Sequence, residues 1–178
     1  MFGLFGPRNA PPLRFVPLDS ASAPDVSRLH GKGGFARGWS ISECEALLAD
    51  RMVVADGAVS DTGRAGAAVL SRCAADEAEM LIIVVEPDLR RSRIGARLMQ
   101  AHGDTLLRKG VRRLFLEVDE HNLAARALYD RLGFVTAGSR AGYYPLPDGS
   151  QATALILRCD LDRNPGLNPG RNLVQNPG

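Results

Sequence analysis

The densest chemistry in the sequence lies in one short turn. Arg90-Arg91-Ser92-Arg93-Ile94-Gly95-Ala96 follows an apolar run that breaks at Glu86-Pro87-Asp88, and it leads into a helical pattern. A helix N-terminus presents main-chain N–H groups that have no partner within the helix, together with the positive end of its dipole. Three arginines in the same turn suit it to an anion such as a pyrophosphate, so a phosphate-bearing cofactor is the first hypothesis. A solvated basic loop between a strand and a crossover helix accounts for the same residues. Glu117 is the ionisable residue among Leu114 to Val118 and stands near the C-terminal end of its run, where ligands of parallel sheets collect. Strand alternation alone leaves open whether it points inward or into water. Tyr129 is offset by one position from the Leu128 and Leu132 stripe. Its ring could rest on the core edge with the hydroxyl in a cleft, or pack with the hydroxyl in solvent.

Composition narrows the setting for this chemistry. With 178 residues and 45% hydrophobic content, the chain fits one domain able to bury a proper core. A net charge of +2, from 22 basic and 20 acidic residues, is too slight to imply direct nucleic-acid binding. Cys44, Cys73 and Cys159 are far apart and lack metal-ligand spacing, so they are expected to be reduced core fillers, with no metal site. No apolar run approaches the roughly 20 residues that span a bilayer, and residues 1–12 lack the apolar core of a signal peptide. The expectation is a cytoplasmic protein with no membrane partner, monomeric or dimeric.

The elements that must position these residues can be read in order. Residues 1–12, with three prolines and two glycines, are expected to form a flexible arm. Leu13 to Leu18 predicts a first strand, and Ser22 to Leu29 a first helix with Pro24 in its opening turn. His30 to Gly38 is glycine-rich but lacks phosphate-loop spacing. Ser40 and Glu43 form a capping-box pattern that opens a second helix ending near Asp50. Met52 to Ala55, a turn at Asp56-Gly57, and Ala65 to Leu70 predict two antiparallel strands. Six consecutive apolar residues, Met80 to Val85, predict a central strand. A helix from about Arg93 to Lys109 stops at Gly110, and Val111 to Val118 is the next strand, parallel to the previous one because a helix joins them. Asn122 can cap a helix in which Ala125, Leu128 and Leu132 share a face. Phe134 to Ala137 predicts a short strand, Tyr143-Tyr144-Pro145 a loop, Pro147-Asp148-Gly149 a turn, and Ala152 to Cys159 a last strand. His102 and His121 are expected at the surface. The folded domain is expected over 13–161. Residues 162–178, with Asn-Pro-Gly at 164–166, 168–170 and 176–178, are expected to be a disordered and functionally silent tail.

The strand, arginine-rich turn, helix and strand are followed by Asn-x-x-Ala-x-x-Leu-Tyr-x-x-Leu-Gly-Phe at 122–134. This series resembles the GCN5-related N-acetyltransferase (GNAT) superfamily. Within it the likeness is greatest to the bacterial ribosomal-protein alanine N-acetyltransferases, through Asp76-Glu77-Ala78, Leu116-Glu117-Val118, Ala127-Leu128-Tyr129 and Tyr143-Tyr144-Pro145. It covers about half the chain, Asp76 to Leu161. Upstream, Trp39-Ser40 matches, whereas Ala36-Arg37-Gly38 differs from the family's usual aromatic and proline. In the family's Arg/Gln-x-x-Gly-x-Gly/Ala motif, Arg93 stands where the first glycine is expected. A side chain is tolerable there only if it swings outward or itself contacts phosphate.

The resemblance implies an α/β fold: a mixed, mostly antiparallel sheet with a central parallel strand pair splayed at its C-terminal ends, flanked by helices on both faces. It implies acetyl-CoA as co-substrate, with pyrophosphate held by Arg90, Arg91, Ser92, Arg93, Ile94, Gly95 and Ala96. Main-chain N–H groups at Val84 and Val85 would polarise the thioester carbonyl, Ile83 would join them in holding the cofactor, and Asn122 would bind the pantetheine end. Glu117 becomes the expected general base, acting through water, and Tyr129 the acid that protonates the leaving thiolate. An α-ammonium has a reference pKa about 2 to 3 units below that of lysine, which favours a protein N-terminal amine as acceptor. Two alternatives stay open: acetylation of a small amine or a lysine side chain, and a non-catalytic acyl-CoA-binding sensor suggested by Arg93.

Overall fold

The computed structural model describes residues 12–35, 37–145, 151–164 and 166–167. Its described residues form one seven-stranded sheet in the order β1-β2-β3-β4-β5-β7-β6. The strands are β1 (Arg14–Pro17), β2 (Val53–Val59), β3 (Ala65–Ala74), β4 (Glu77–Val85), β5 (Arg113–Asp119), β6 (Val135–Pro145) and β7 (Gln151–Asp160). The helices are α1 (Ala23–Gly31), α2 (Ile41–Ala49), α3 (Ile94–Arg108) and α4 (Leu123–Arg131). Every neighbouring pair of strands is antiparallel except β4 and β5. That parallel pair lies mid-sheet because α3 carries the chain across between its strands.

Two apolar layers hold the helices to the sheet. On one face, Leu98, Met99 and Leu106 of α3 and Tyr129 of α4 pack with Leu114, Leu116 and Val118 of β5. On the other, Val26 and Leu29 of α1 and Cys44 of α2 pack on Ala68 and Leu70 of β3 and Ile82 and Val84 of β4. The second layer stops at β4, so the same face of β5, β7 and β6 has no helix over it among the described residues. Helix α2 begins as its sequence predicts: Ser40 Oγ accepts from the Glu43 N–H, and the Glu43 carboxylate accepts from the Ser40 N–H at 2.8 Å. The Arg37 guanidinium and these cap bonds hold the Glu43 carboxyl down at about 2.

Several local expectations need correction. Asp56-Gly57, a turn-forming pair by composition, lies inside β2. A side chain at Gly57 would have to displace Leu18, whose nearest side-chain atom sits 2.7 Å from where a Cβ would stand. Asp56 is buried to accept from His102 Nδ1 at 2.7 Å, while His102 Nε2 meets Ser71 Oγ at 2.8 Å. His102, expected at the surface, is fully buried on α3, facing β2 and β3. Residues 143–145 continue β6 and are not a loop, with Tyr144 paired to Ala152. The Pro147-Asp148-Gly149 turn lies outside the described residues.

Packing also reaches beyond Leu161. Asn164 Nδ2 donates to the Leu132 carbonyl at the end of α4, Gln100 donates to the Gly166 carbonyl, and Leu167 is fully buried beside Gly103. The expected disorder therefore does not apply to 162–164 and 166–167. One leucine and three hydrogen bonds hold a stretch that turn-former composition alone would leave loose. Residues 1–11, 165 and 168–178 of the expected arm and tail lie outside the description.

Candidate active site

The site begins with a defect in the sheet. Strand β3 pairs Leu70 with Ile82 and the next residue, Ser71, with Met80, leaving Leu81 as an extra residue on β4. This β-bulge switches the facing side chains. Ala78 and Met80 enter the core under α3, whereas Ile82 and Val84 enter the core under α1 and α2. Pairing of β4 with β5 stops just before it: Glu77, Ala78 and Glu79 meet Arg113, Leu114 and Phe115, and no further pair forms. A bulge sharpens local twist, which explains why the parallel strands diverge from this point.

Divergence leaves main-chain groups of β4 facing a gap. The Glu86 N–H donates to Gly66 O on β3, so by alternation the Val84 N–H also turns toward β3. Ile83 and Val85 turn their N–H groups to the edge that β5 has left. Of the three expected main-chain contacts, the structure thus presents Ile83 and Val85 to the gap and not Val84. The Val85 carbonyl on that edge accepts from Arg90 Nε at 3.1 Å, and Arg90 Nη2 donates to Lys32 O at 3.2 Å. Arg90 therefore braces the strand end against the α1–α2 connection. Glu86 does the same from the other side through ion pairs with Arg28 and Lys32. Burial alone would raise the Glu86 carboxyl, but hydrogen bonds from Lys32 and Arg28 outweigh it and lower it.

The basic turn lies at the open end of the gap. Arg91 (φ 61°) and Arg93 (φ 63°) both adopt left-handed backbone, which costs a non-glycine residue roughly 1–2 kcal/mol. This is the physical content of the glycine expected at Arg93: the loop keeps the left-handed turn and the arginine side chain is exposed. Ser92 Oγ donates to the Leu89 carbonyl and closes the turn. The N–H groups of Ile94, Gly95 and Ala96 then form the first turn of α3, 15 residues long, at the positive end of its dipole. Ile94 is buried and can offer a ligand only its main chain. Gly95 lies between β4 and α4, with Val85 and Leu128 side chains each 3.7 Å from a hypothetical Cβ. Residues 90–96 thus have the shape and charge for a pyrophosphate, with Arg90 committed to the main chain.

Glu117 and Tyr129 stand on opposite faces of the sheet. Leu114, Leu116 and Val118 point into the α3/α4 core, so Glu117 points to the face without helices. It lines a cavity of about 380 Å3 there, with Glu79, Phe115 and Ile156, and its side chain is 21% exposed. Its Oε1 lies 3.3 Å from Nη2 of Arg140, which reaches across from β6. On α4, Tyr129 is the fully buried member of the helix and tilts against Phe134 at 5.5 Å between ring centroids. The apolar stripe therefore runs through Ala125, Leu128, Tyr129 and Leu132, and Tyr129 is not beside it as the spacing suggested. Asn122 caps α4, its Oδ1 accepting from Ala125 N–H at 3.1 Å, which leaves its amide end for a ligand.

The α1–α2 connection supplies a wall that the sequence did not disclose. His30 is sandwiched between Phe35 and Trp39, at 4.3 and 4.1 Å, and its Nδ1 accepts the Trp39 N–H. Burial, and then the Arg37 charge, push its imidazole below the usual value against the opposing pull of Glu43. Gly33 beside it has room for no side chain: a Cβ would come within 2.4 Å of Phe35 and 3.0 Å of Val84. The stack thus abuts the end of β4.

Comparison with known proteins assigns this splayed parallel pair and its left-handed basic turn to a family. Residues 32–134 match the model of the Acetyltransferase (GNAT) family, and the chain belongs to that family. It is 39% identical over 99 residues to the ribosomal protein bS18-alanine N-acetyltransferase of Escherichia coli (strain K12), covering 56% of this chain and 66% of that one. The protein of the same description from Haemophilus ducreyi is 37% identical over 82 residues, 46% of this chain and 57% of that one. The chain thus spans just under two thirds of the length of these curated relatives. The crystal structure of the Escherichia coli ribosomal-protein-S18-alanine N-acetyltransferase superposes with a TM-score of 0.75 at 29% identity, over 84% of this chain and 94% of that one. Arabidopsis thaliana NAA60, crystallised with acetyl-CoA, shares the fold at a TM-score of 0.71 and 16% identity, over 85% of this chain and 99% of that one.

Proposed function

We propose that this chain is an N-acetyltransferase that moves an acetyl group from acetyl-CoA to a protein N-terminal α-amine, a reading supported by relatives named as alanine N-acetyltransferases of ribosomal protein bS18. The observation that carries the reading is the gap between β4 and β5, with the α3 N-terminus at its mouth and Glu117 on its helix-free side. The thioester supplies an activated acetyl carbon. The acceptor nitrogen attacks it, forming the N–C bond, and the C–S bond breaks. Glu117 takes the proton the nitrogen loses, through water, and Tyr129 gives a proton to the departing sulfur. Ile83 and Val85 N–H groups supply donors for the developing oxyanion, Arg91 to Ala96 hold pyrophosphate, and Asn122 steadies the pantetheine end. Both side chains return to their starting states by exchange with solvent.

The exposed side chain and left-handed backbone of Arg93 keep the turn in the shape glycine would give, which supports acetyl-CoA binding by this turn. The catalytic unit on this reading is 13–161 together with the packed residues up to Leu167. A ribosomal-protein acceptor would place it in the cytoplasm, and no helix of the described residues is long and apolar enough to cross a membrane.

Release of free thiol from acetyl-CoA, measured across alanine-first peptides, lysine peptides and polyamines, tests the reading. Thiol release with the alanine-first peptides alone supports it. Turnover confined to polyamines or lysine peptides would replace the acceptor, and acetyl-CoA binding without turnover of any acceptor would favour the sensor. Tyr129→Phe should lower kcat most at high pH, where no other proton source substitutes. Unchanged turnover in that variant would return Tyr129 to a purely packing role.

A further inference from the structure

Glu117 carries its cation on the face where an acceptor must arrive. The other ion pairs of this face lie within or between adjacent strands: Glu77 with Arg113 at 3.2 Å, and Asp160 with Arg158 at 3.3 Å. Arg140 is different. It belongs to β6, reaches over β7 and sets Nη2 at 3.3 Å from Glu117 Oε1, with its side chain 55% exposed. A carboxylate accepts at two oxygens and a guanidinium donates through five N–H groups, so this pair can stay together and still bond a ligand with both members.

We infer that Arg140 and Glu117 form a two-point clamp for the first residue of an arriving peptide acceptor, with Glu117 bonding the α-ammonium directly, before water carries its proton away in the chemical step, and Arg140 bonding the carbonyl oxygen of the same residue. The inference rests on the proposed roles of Glu117 as base and of a peptide N-terminus as acceptor. Standard bond lengths put the nitrogen and carbonyl oxygen of one residue roughly 2.7 to 3.6 Å apart as ψ rotates. That spacing is commensurate with the 3.3 Å between the guanidinium nitrogen and the carboxylate oxygen. A lysine ε-amine is separated from its own carbonyl by the whole side chain, and a polyamine has no carbonyl. Arg140 is thus a specificity-determining residue that separates N-terminal amines from these competitors. With its side chain 55% exposed, Arg140 left without that acceptor turns to water, so the discrimination is set by the charge-assisted hydrogen bond itself.

The test pairs a protein substitution with a substrate substitution. Wild type and Arg140→Gln are assayed with an alanine-first peptide and with its isostere, in which an E-alkene replaces the first amide and removes the carbonyl oxygen. The isostere should cost wild type about 10- to 100-fold in kcat/KM, seen chiefly in the acceptor KM. Arg140→Gln should cost about as much with the natural peptide, and in that variant the isostere should add no more than about twofold. The acetyl-CoA KM and the melting temperature should not move. Additive losses, or a natural-peptide KM within about twofold of wild type, would overturn the clamp. Glu117→Gln in the same assay separates the two failures. If it keeps full turnover, the base assignment has failed. If it is inactive while Arg140→Gln is silent, only the clamp has failed.

Discussion

Asp56 and Glu117 each stand on a strand of one sheet beside a basic side chain from another element, yet their circumstances are opposite. Asp56 faces α3 and is sealed with His102 and Ser71, all within a few per cent of complete burial. Aspartate, histidine and serine in that connectivity resemble a nucleophilic triad, but no substrate could reach the serine. The cluster pins α3 to β2 and β3. Glu117 faces the part of the sheet without a helix and opens onto a cavity, with a flexible guanidinium as partner. The same class of contact is a structural rivet where a helix covers it and stays open to a ligand where none does. Access, set by where α1 and α2 stop, separates them.

The contrast breaks most easily at Glu117. Glu117→Gln should lower kcat by about 10²- to 10⁴-fold, the range for loss of a general base, with partial recovery as rising pH deprotonates the acceptor without help. Melting temperature and acetyl-CoA affinity should stay near wild type. His102→Leu should do the reverse. It strands the Asp56 carboxylate in the core with a long contact from Thr105 Oγ1 at 3.4 Å, at a cost of about 3–5 kcal/mol of stability by denaturant titration. The rate per folded molecule should be retained. Combining it with Asp56→Leu should recover part of the loss, because the buried charge is gone and the neutral Ser71 hydroxyl is what loses its His102 partner. A double variant no more stable than the single would show that the cluster does more than satisfy itself.

Much of the architecture was legible because it depends on local signals. The Ser40/Glu43 capping box, the Gly110 and Gly133 stops and the strand–helix–strand order behind the parallel β4–β5 pair all come from residues close in sequence. What escaped depends on long-range register. The bulge at Leu81 lies within six apolar residues that show no break, and it becomes visible only when β3 is laid beside β4. Asp56-Gly57 carries a turn composition, and only the approach of Leu18 and the reach of His102 explain it as strand. Glu117, Tyr129 and the basic turn were singled out as candidates by type, but the face that Glu117 occupies was not legible, nor was Arg140, whose contact spans an intervening strand.

A smaller effect should come from the turn that binds the cofactor in this reading. Arg93→Gly removes a left-handed arginine and should stabilise the fold by roughly 1 kcal/mol, less the entropy that glycine returns to the unfolded chain. The acetyl-CoA KM should fall or hold steady. A KM rising several-fold would show that the Arg93 side chain contacts phosphate, which would sharpen the role of the turn from main-chain cradle to charged clamp.

The smallest effect is a slope and concerns a third buried polar group, intermediate between the two regions compared above. His30 is nearly sealed in its aromatic stack, yet its Nδ1 holds the connection that walls the end of β4. The imidazole accepts from Trp39 and so must be neutral there, and burial with Arg37 nearby lowers its value below 6.5 in the folded state. The unfolded chain then binds the proton more readily. His30 therefore contributes stability that is fully present above about pH 6.5 and is lost as pH falls below it. Melting temperature should climb between pH 5 and pH 7 more steeply in wild type than in His30→Phe, which keeps a ring in the stack and removes the titration. If protonation loosens the wall before it unfolds the domain, the acceptor KM should rise over the same interval while the acetyl-CoA KM stays level. Equal slopes in the two proteins would mean that the ring is held by stacking alone and that its charge state has no bearing on the site.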